Sequence, residues 1–433
     1  MKVLWICNVP TADAIRHKNG ILASSGGWLT GCINAMKNTK DINIIYCYPC
    51  VGKKNNQPFV IDDVKYYEFY APKKFGLINL NSNSENKTER MEIRSIIERE
   101  RPDIIHIWGS EYYHALMALE ENTIKAKTVC SIQGLTGEIA KYYLEYIPSS
   151  IYHKLSVSCI IRGTLAQQRR NLINRGSVEK IIIEKCKNFI GRTAWDEAVI
   201  KSLNPHCMYY KCNETLRDSF YKVKWRYEGC CPETLFISQG SSPLKGLNVA
   251  IEALYILKKY YPNIRLYVAG SNFIKCDTLK EKLSISTYGI FIKKLIDKYN
   301  LNENIRFTGP LDEEKMTEQY LKCNIFLSCS SIENSSNSVC EAMLLGVPIV
   351  ASYVGGVTSL MDDKVHGLMY QGNSPVMLAF SIDKLLKMKE SVSYFGLKAR
   401  EKAYIRHNPY SNNKRLIEIY RKILGEGEVI DKY

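Results

Sequence analysis

Short apolar strands alternate with amphipathic helical patterns over most of this chain, and they do so in two successive series. The first series begins with a strand at Lys2–Cys7 and closes with strands at Asn188–Gly191 and Cys207–Tyr210. The second series begins at Thr234–Ser238 and runs to Pro348–Ser352. Alternating strand–helix units build parallel sheets that are covered by helices on both faces. The sequence therefore predicts an α/β protein with two Rossmann-like domains.

The length of the chain and the break between the two series define the expected domains. At 433 residues the chain is longer than one hydrophobic core usually supports. We expect an N-terminal domain at residues 1–216, a linker at 217–232, a C-terminal domain at 233–410 and a C-terminal helical segment at 411–433. The linker, RDSFYKVKWRYEGCCP, fits neither series. The terminal segment lies beyond the last strand–helix unit and could pack on either domain.

The chain carries a formal net charge of +15, which favours an anionic partner such as a phosphorylated substrate or an acidic lipid surface. No nucleic-acid partner is expected, because the sequence has no zinc finger, no RNP-type aromatic motif and no basic region followed by heptads. No apolar run reaches the length of about 18 residues that a membrane crossing needs, and the first apolar run is typical of a strand rather than a signal peptide. Together with 15 scattered cysteines, these features predict a cytoplasmic protein.

Two glutamates, Glu333 and Glu341, are separated by seven residues near the end of the second series. A strand ends just before Glu333, which therefore falls in a loop at the carboxyl edge of a sheet, where ligands bind in open α/β folds. Glu341 lies in the first turns of a helix predicted at residues 338–345. The N–H groups near Asn337 and Ser338 form an anion site at the start of that helix.

This spacing fits a nucleoside diphosphate sugar, with its phosphate at the helix start, its ribose on Glu341 and its sugar near Glu333. On spacing alone, another interpretation is equally good. Glu341 would then only complement the helix dipole, and Glu333 would be a solvated loop residue.

The same stretch resembles the family-4 retaining glycosyltransferases, whose GT-B fold has two facing Rossmann-like domains. Their signature is Glu-x7-Glu, then a GVPVVA-like strand and a Gly-Gly loop. Here it reads Glu333 to Glu341, GVPIVA at 346–351 and Gly355-Gly356. Further segments that look like the family's follow its order: SSGGW at 24–28, RPDIIHIWG at 101–109, IGRTAWD at 190–196 and SPLKG at 242–246. The resemblance covers nearly the whole chain and implies a GT-B fold of two facing domains with parallel sheets and a C-terminal helix.

The resemblance also implies a role for each matching residue. The catalytic residues would be Glu333 and Lys245, with Lys245 neutralising the diphosphate leaving group. Leu311 would meet the base, and Gln133 and Arg192 would serve the acceptor or act as auxiliary residues. The residues that would bind the donor are Gly26, Gly27, Leu311, Asn337, Ser338 and Glu341.

The implied reaction is a metal-independent sugar transfer from a nucleoside diphosphate sugar, a UDP-sugar rather than a GDP-sugar, to a saccharide or lipid-linked saccharide acceptor. No cofactor is expected. The chain contains no Asp-x-Asp, which argues against a metal-dependent GT-A architecture. Charge neutralisation by Lys245 and by helix dipoles fits instead. The expected context is surface polysaccharide or capsule biosynthesis.

Two positions depart from the family pattern. The family usually has an arginine five residues before the loop lysine, and this chain has Gly240 there. We expect Arg192 to supply the missing cation from the cleft edge, although a structural pairing with Asp196 would explain it too. The family often has a histidine where this chain has Gln133, which can hydrogen-bond a sugar hydroxyl but cannot act as a base.

Residues 150–188 carry eight basic and two acidic side chains, interleaved with aliphatic and aromatic residues. A basic amphipathic segment of this kind suits peripheral binding to an anionic membrane, which would favour a lipid-linked acceptor. A solvated helical face explains the same composition equally well.

Three other functions are alternatives to the glycosyltransferase. A sugar-nucleotide 2-epimerase of the same fold would need carboxylates and a histidine that remove a sugar proton, and the lysine loop argues against it. A non-catalytic sugar-nucleotide binding protein fits the changes at Gly240 and Gln133. A nicotinamide-dependent dehydrogenase would show GxGxxG after the first strand, which this chain lacks.

Overall fold

The computed structural model of the chain describes residues 1–19, 27–36, 39, 42–50, 57–71 and 87–426. These residues form two sheets with helices on both faces, so the expected α/β architecture is confirmed. The first sheet has eight strands. They are β1 (Lys2–Cys7), β2 (Asn43–Cys50), β3 (Phe59–Ile61), β4 (Val64–Tyr70), β5 (Ile104–Trp108), β6 (Lys127–Ser131), β7 (Asn188–Gly191) and β8 (Met208–Lys211).

The second sheet has six strands. They are β9 (Thr234–Ile237), β10 (Arg265–Val268), β11 (Ile305–Phe307), β12 (Ile325–Ser328), β13 (Ile349–Ser352) and β14 (Leu368–Tyr370). The strand orders are β3-β4-β2-β1-β5-β6-β7-β8 and β11-β10-β9-β12-β13-β14. Every pair in the two sheets is parallel except β3 with β4.

The helices of the described residues fill the connections between these strands. In the first half they are α1 (Ala12–Asn19), α2 (Gly27–Met36), α3 (Lys87–Glu100), α4 (Tyr113–Glu120), α5 (Thr136–Tyr142), α6 (Cys159–Arg162), α7 (Leu165–Lys185), α8 (Ala194–Leu203) and α9 (Ser219–Lys222). In the second half they are α10 (Leu247–Leu257), α11 (Leu279–Ser284), α12 (Thr287–Lys298), α13 (Glu313–Lys322), α14 (Asn337–Leu345), α15 (Val357–Leu360), α16 (Pro375–Lys387), α17 (Ser393–Arg406) and α18 (Pro409–Leu424).

Each sheet reverses its winding direction once. In the second sheet the chain runs outward from β9 through β10 to β11, then returns to the other side of β9 as β12. The loops that leave β9 and β12 therefore diverge to opposite faces and open a crevice between them. Such a reversal is where ligands bind in doubly wound sheets, beyond the carboxyl ends of the strands.

Three strands were not expected from the sequence, namely β3, β4 and β14. β3 and β14 are edge strands of only three residues each. β4, VKYYEFY, mixes polar and aromatic residues without clean alternation. Short edge strands, and strands of mixed polarity such as β4, carry little periodic signal, so tertiary packing decides whether they pair.

The two halves of the chain pack against each other. The segment that connects their sheets runs from the end of β8 at Lys211 to the start of β9 at Thr234. Tyr143, Tyr146 and Ile151 belong to the first half by sequence but pack in the hydrophobic core of the second half. In the opposite direction, α18 returns to the first sheet. There the Nε1 atom of Trp5 donates to the Tyr420 hydroxyl at 3.1 Å. The C-terminal helix therefore packs on the first half.

None of the helices in the described part of the chain combines the length and the apolar composition that crossing a membrane would require.

Candidate active site

Lys245 and Glu333 lie on the two loops that leave the reversal point of the second sheet. Lys245 closes a short 3-10 helix, Pro243–Lys245, in the connection after β9. Gly246 follows it with φ 62°, and a Cβ there would lie 1.9 Å from the carbonyl oxygen of Cys329. Only glycine permits this approach, which brings the lysine loop against the end of β12.

The two side chains form an ion pair in the crevice. Nζ of Lys245 lies 2.6 Å from Oε1 of Glu333, and Oγ of Ser330 donates to the same carboxylate oxygen at 2.6 Å. The sequence predicted that Glu333 lies at this edge but did not predict that it pairs with Lys245. The second carboxylate oxygen of Glu333 accepts no hydrogen bond from the described residues.

The Gly-Gly loop after β13 supports the backbone of Glu333. The N–H of Gly356 donates to the Glu333 carbonyl at 2.9 Å. A Cβ on Gly355 would lie 2.3 Å from that carbonyl oxygen, and Gly355 has φ 46°. The two glycines therefore bring the loop close enough to hold the Glu333 backbone in place.

The start of α14 offers free backbone donors to the same crevice. Ser336 is its N-cap residue, but no side chain caps the first turn. The helix begins at Asn337, one residue before the predicted start, so Asn337 and Ser338 both lie in that first turn. Uncapped N–H groups at the positive end of a helix dipole can bind an anion, so this geometry is compatible with the predicted site.

Glu341 is buried one turn further along α14 and already has two protein partners. Nη2 of Arg217 lies 2.8 Å from its Oε1, and the hydroxyl of Tyr320 donates to its Oε2 at 3.2 Å. Burial raises the pKa of Glu341, and the positive charge of Arg217 opposes that rise. The sequence did not identify Arg217 as a site residue, because Arg217 lies in a linker that matches no motif. The one feature that could have indicated it is a basic side chain located between the two series of strands.

A cavity of about 650 Å³ joins these groups. Lys245 and Glu333 line it, as do the first turn of α14, Glu341 and Leu311. Leu311 follows β11 and closes the wall near Phe273 and Met316. Gly27 is the first residue of α2, and nothing is described of its surroundings. Gly26 lies outside the described residues, so its donor role stays a prediction.

The departure at Gly240 has a steric basis. A Cβ at this position would lie 2.7 Å from Cγ1 of Val268 and 2.9 Å from Cδ2 of Leu247. An arginine could enter only if these core side chains moved. The arginine that the family usually has at this position would therefore require Val268 and Leu247 to shift.

Arg192, which we expected to supply the missing cation, has protein partners in this structure, and its role beside the donor stays a prediction. It is buried, with Nε 3.4 Å from Oε2 of Glu214 and Nη2 donating to Oε1 of Gln133 at 3.2 Å. The alternative pairing with Asp196 is wrong for the guanidinium, although the backbone N–H of Arg192 does donate to that carboxylate. Arg192 directly precedes Thr193, the N-cap residue of α8.

Gln133 sits where the two halves meet. Its Oε1 accepts from Arg192, while its buried Nε2 has no partner among the described residues. Its carbonyl accepts from Nδ2 of Asn334 at 3.3 Å, and Asn334 in turn accepts from the Thr193 hydroxyl at 2.6 Å. The loop that carries Glu333 therefore contacts the first half of the chain. The side-chain amide nitrogen of Gln133 lies beside that loop without a hydrogen-bond acceptor among the described residues.

Glu214 is the charged centre of this junction. Ser335 donates to its Oε1 at 2.6 Å. Burial alone raises the pKa of Glu214, but Arg192, His407 and Arg406 together lower it to about 2. Glu214 also groups with Cys340 and His407, the one set of three potential metal ligands in the described ranges. Two neighbouring arginines make this a site for an ion pair rather than a cation.

The second half of the chain matches a known family model. Residues 232–402 match the model described as Glycosyl transferases group 1. We call these residues the group 1 domain. The group 1 domain begins just before β9 and ends within α17, so it contains Lys245, Glu333 and Glu341.

Curated relatives match over a similar stretch. An uncharacterized glycosyltransferase of Methanocaldococcus jannaschii is 32% identical over 34% of this chain and 37% of its own. The D-inositol 3-phosphate glycosyltransferase of Acidothermus cellulolyticus is 26% identical over 37% of this chain and 34% of its own. The chain thus spans about a third of the length of these relatives.

Solved structures match the whole fold. Sucrose-phosphate synthase from Thermosynechococcus elongatus aligns with a TM-score of 0.70 over 98% of this chain and 100% of its own, at 14% identity. Anabaena HepE in complex with UDP-glucose aligns with a TM-score of 0.65 over 98% and 100%, at 13% identity. These likenesses and the two-sheet topology confirm the GT-B fold expected from the sequence.

Proposed function

We propose that this protein is a retaining glycosyltransferase that moves a sugar from a UDP-sugar to a saccharide or lipid-linked saccharide without a metal ion. The observation that carries the proposal is the order of groups in the cavity. An uncapped helix start and Lys245 suit a diphosphate, with Glu341 on one side and Glu333 on the other. The group 1 match over residues 232–402 supports the same reaction class.

In this proposal the base contacts the turn at Leu311, and the ribose binds Glu341. The diphosphate oxygens accept hydrogen bonds from the backbone N–H groups of Asn337 and Ser338. The sugar then lies beside Glu333, whose uncommitted oxygen accepts a sugar hydroxyl. Anabaena HepE was solved with UDP-glucose, which supports uracil as the base.

The charges of the cavity suit departure of a nucleoside diphosphate. Lys245 is 28% exposed and pairs with Glu333 when no donor is bound. A bound diphosphate would compete for that ammonium group, which is a mobile point charge. Lys245 and the α14 dipole would then stabilise charge that grows on the leaving oxygen. Gln133 cannot accept the acceptor's proton, so the leaving phosphate takes it.

The test is a binding screen followed by product analysis. Thermal-shift measurements across UDP-, GDP- and ADP-sugars should show stabilisation by one UDP-sugar, and NMR of the product should show the donor's anomeric configuration. Activity should persist in excess chelator. Inversion at the anomeric carbon, or activity lost in chelator and restored by manganese, would contradict the mechanism. Conversion of the donor to its 2-epimer would assign the protein to the alternative reaction.

We also propose that the acceptor is presented at an anionic membrane surface. The exposed aliphatic residues of the predicted 150–188 segment are concentrated not on α7 but just before it. Leu155 is 82% exposed, Ile160 68% and Ile161 65%. Between Glu145 and Glu179 the chain contains no acidic residue. The basic residues of this interval are Lys154, Arg162, Arg169, Arg170 and Arg175.

This surface combines the apolar and basic groups that a peripheral protein inserts into an anionic bilayer. In a flotation assay, the protein should rise with vesicles that contain phosphatidylglycerol. It should not rise with neutral phosphatidylcholine vesicles. Replacing Leu155, Ile160 and Ile161 by serine should abolish flotation. Val376→Ser, at an exposed aliphatic residue without basic neighbours in sequence, is the control. Equal flotation of the triple variant and the wild type would contradict the membrane proposal and leave the sugar transfer untouched.

A further inference from the structure

Arg217 comes from the segment between the two sheets and reaches the buried carboxylate of the cavity. Its guanidinium lies 2.8 Å from Glu341 and stacks 4.7 Å from the ring centre of Phe220. The two charged side chains are only 17% and 11% exposed. A guanidinium that is held by a carboxylate on one side and an aromatic face on the other has little freedom to rotate. The pair is therefore a fixed feature of the site.

The Glu341 carboxylate is only half used by the protein. An ionised carboxylate offers about four acceptor positions, two on each oxygen. Arg217 takes one on Oε1 and the hydroxyl of Tyr320 takes one on Oε2. Among the described residues, one position on each oxygen is left, and Glu341 lines the cavity. Two neighbouring acceptors of this kind match the two hydroxyls of a vicinal diol.

We propose that Arg217 is a positioning residue for the nucleotide ribose, which fixes the Glu341 carboxylate so that its two remaining acceptor positions meet the 2′- and 3′-hydroxyls. The inference rests on the proposed function, because it takes Glu341 as the ribose-binding residue. It adds a residue outside the group 1 domain, since Arg217 precedes the matched residues 232–402. The segment between the domains would thereby contribute to donor recognition.

The electrostatic surroundings of Glu341 explain why the arginine matters. Burial raises the pKa of this carboxyl group, and the charge and hydrogen bond of Arg217 oppose the rise. On α13, the hydroxyl of Tyr320 also lowers the pKa, whereas Glu313 raises it. Cys340 is the neighbouring titratable group on α14, and burial holds its thiol neutral. Without the arginine, the carboxyl group would retain a proton at higher pH and lose acceptor capacity.

The experiment compares the dissociation constants of UDP and 2′,3′-dideoxy-UDP for the same protein. The ratio of the two dissociation constants measures the contribution of the ribose hydroxyls to binding, because both ligands carry the same diphosphate and base. The wild type should prefer UDP by about tenfold or more, as hydrogen bonds to a charged group imply. In Arg217→Met the ratio should fall to about threefold or less at neutral pH and rise again as the pH is raised. Arg226→Met, at an exposed arginine of the same segment, should keep the wild-type ratio.

Each outcome separates the inference from the proposed function. A wild-type ratio near one would remove Glu341 from the ribose and overturn both. A wild-type preference that survives unchanged in Arg217→Met would overturn only the inference. An equal weakening of both ligands would assign Arg217 to the diphosphate and also overturn it. If Arg217→Met does not fold, Arg217→Lys keeps the charge but not the planar fork, and an unchanged ratio there would overturn the inference.

Discussion

The ammonium group of Lys245 lies 2.6 Å from the carboxylate of Glu333, although 88 residues separate them in the chain. The contact joins the loops that follow β9 and β12, which are neighbouring strands at the reversal point of the second sheet. Under the proposed function, an anionic donor would compete with Glu333 for this ammonium group. The following predictions test that exchange and the contacts that support it.

Glu333→Gln should lower kcat by about a hundredfold, because the amide keeps the shape but not the charge that would stabilise the transition state. The affinity for free UDP should stay within about threefold, since the residue faces the sugar rather than the nucleotide. Steady-state kinetics and calorimetric titration measure the two quantities. Glu318→Gln, on the exposed face of α13, is the control. Loss of UDP binding with an unchanged kcat would show that the two glutamates have exchanged roles.

Lys245→Met should weaken UDP binding by about tenfold and leave uridine binding unchanged, because only UDP carries the diphosphate that the ammonium group meets. Calorimetric titration with both ligands tests this. Lys258→Met, at a lysine that bonds only a backbone carbonyl on the exposed side of the domain, should behave like the wild type. Equal losses for UDP and uridine would mean that the substitution disturbs the base or ribose site instead.

Glu341→Ala should weaken UDP binding by about 1–3 kcal/mol, the usual cost of leaving hydrogen-bonding groups without a charged partner. Titration calorimetry on the folded variant measures the change. Unaltered affinity would remove Glu341 from nucleotide recognition. Because the substitution also strands Arg217, circular dichroism and the melting temperature should be recorded alongside.

Arg192→Met should destabilise the protein by about 3 kcal/mol, because it leaves the Glu214 carboxylate buried without its ion-pair partner. Chemical unfolding measures the loss, and the double variant Arg192→Met/Glu214→Gln should regain much of it. If Arg192 instead reached the donor, Arg192→Lys would lower kcat/KM with little change in Tm. That result would restore the role expected from the sequence.

The stability of the protein should decrease at acid pH through Glu214. Its pKa of about 2 in the folded protein lies below the ordinary value of about 4.3 in an unfolded chain. A lowered pKa gives stability that is complete above about pH 5 and is lost as the pH falls toward about 2, amounting to roughly 3 kcal/mol. Urea unfolding at several pH values should show a flatter acid limb in Glu214→Gln. Equal slopes for the two proteins would mean that other carboxyl groups govern the acid transition.

The sequence determined the architecture because periodicity is a local property of the chain. Strands β1, β7 and β9 and helix α14 were predicted to within one residue of their ends, since buried parallel strands and a helix that ends at a glycine carry strong local signals. The carboxyl-edge location of Glu333 followed from the same patterns, whereas Lys245 was identified through the family resemblance. The GT-B fold then followed from the order of the motifs.

Only the tertiary structure decided which charges meet. Arg192 and Arg217 are both arginines at the edge of a motif or linker, and nothing in their neighbours states that one pairs with Glu214 and the other with Glu341. Electrostatic partners depend on distances between residues that lie far apart in sequence, and burial decides what each pairing is worth. Local patterns fix the strands and the loops that leave them; the packing of two sheets, a linker and a returning C-terminal helix fixes the cavity between those loops.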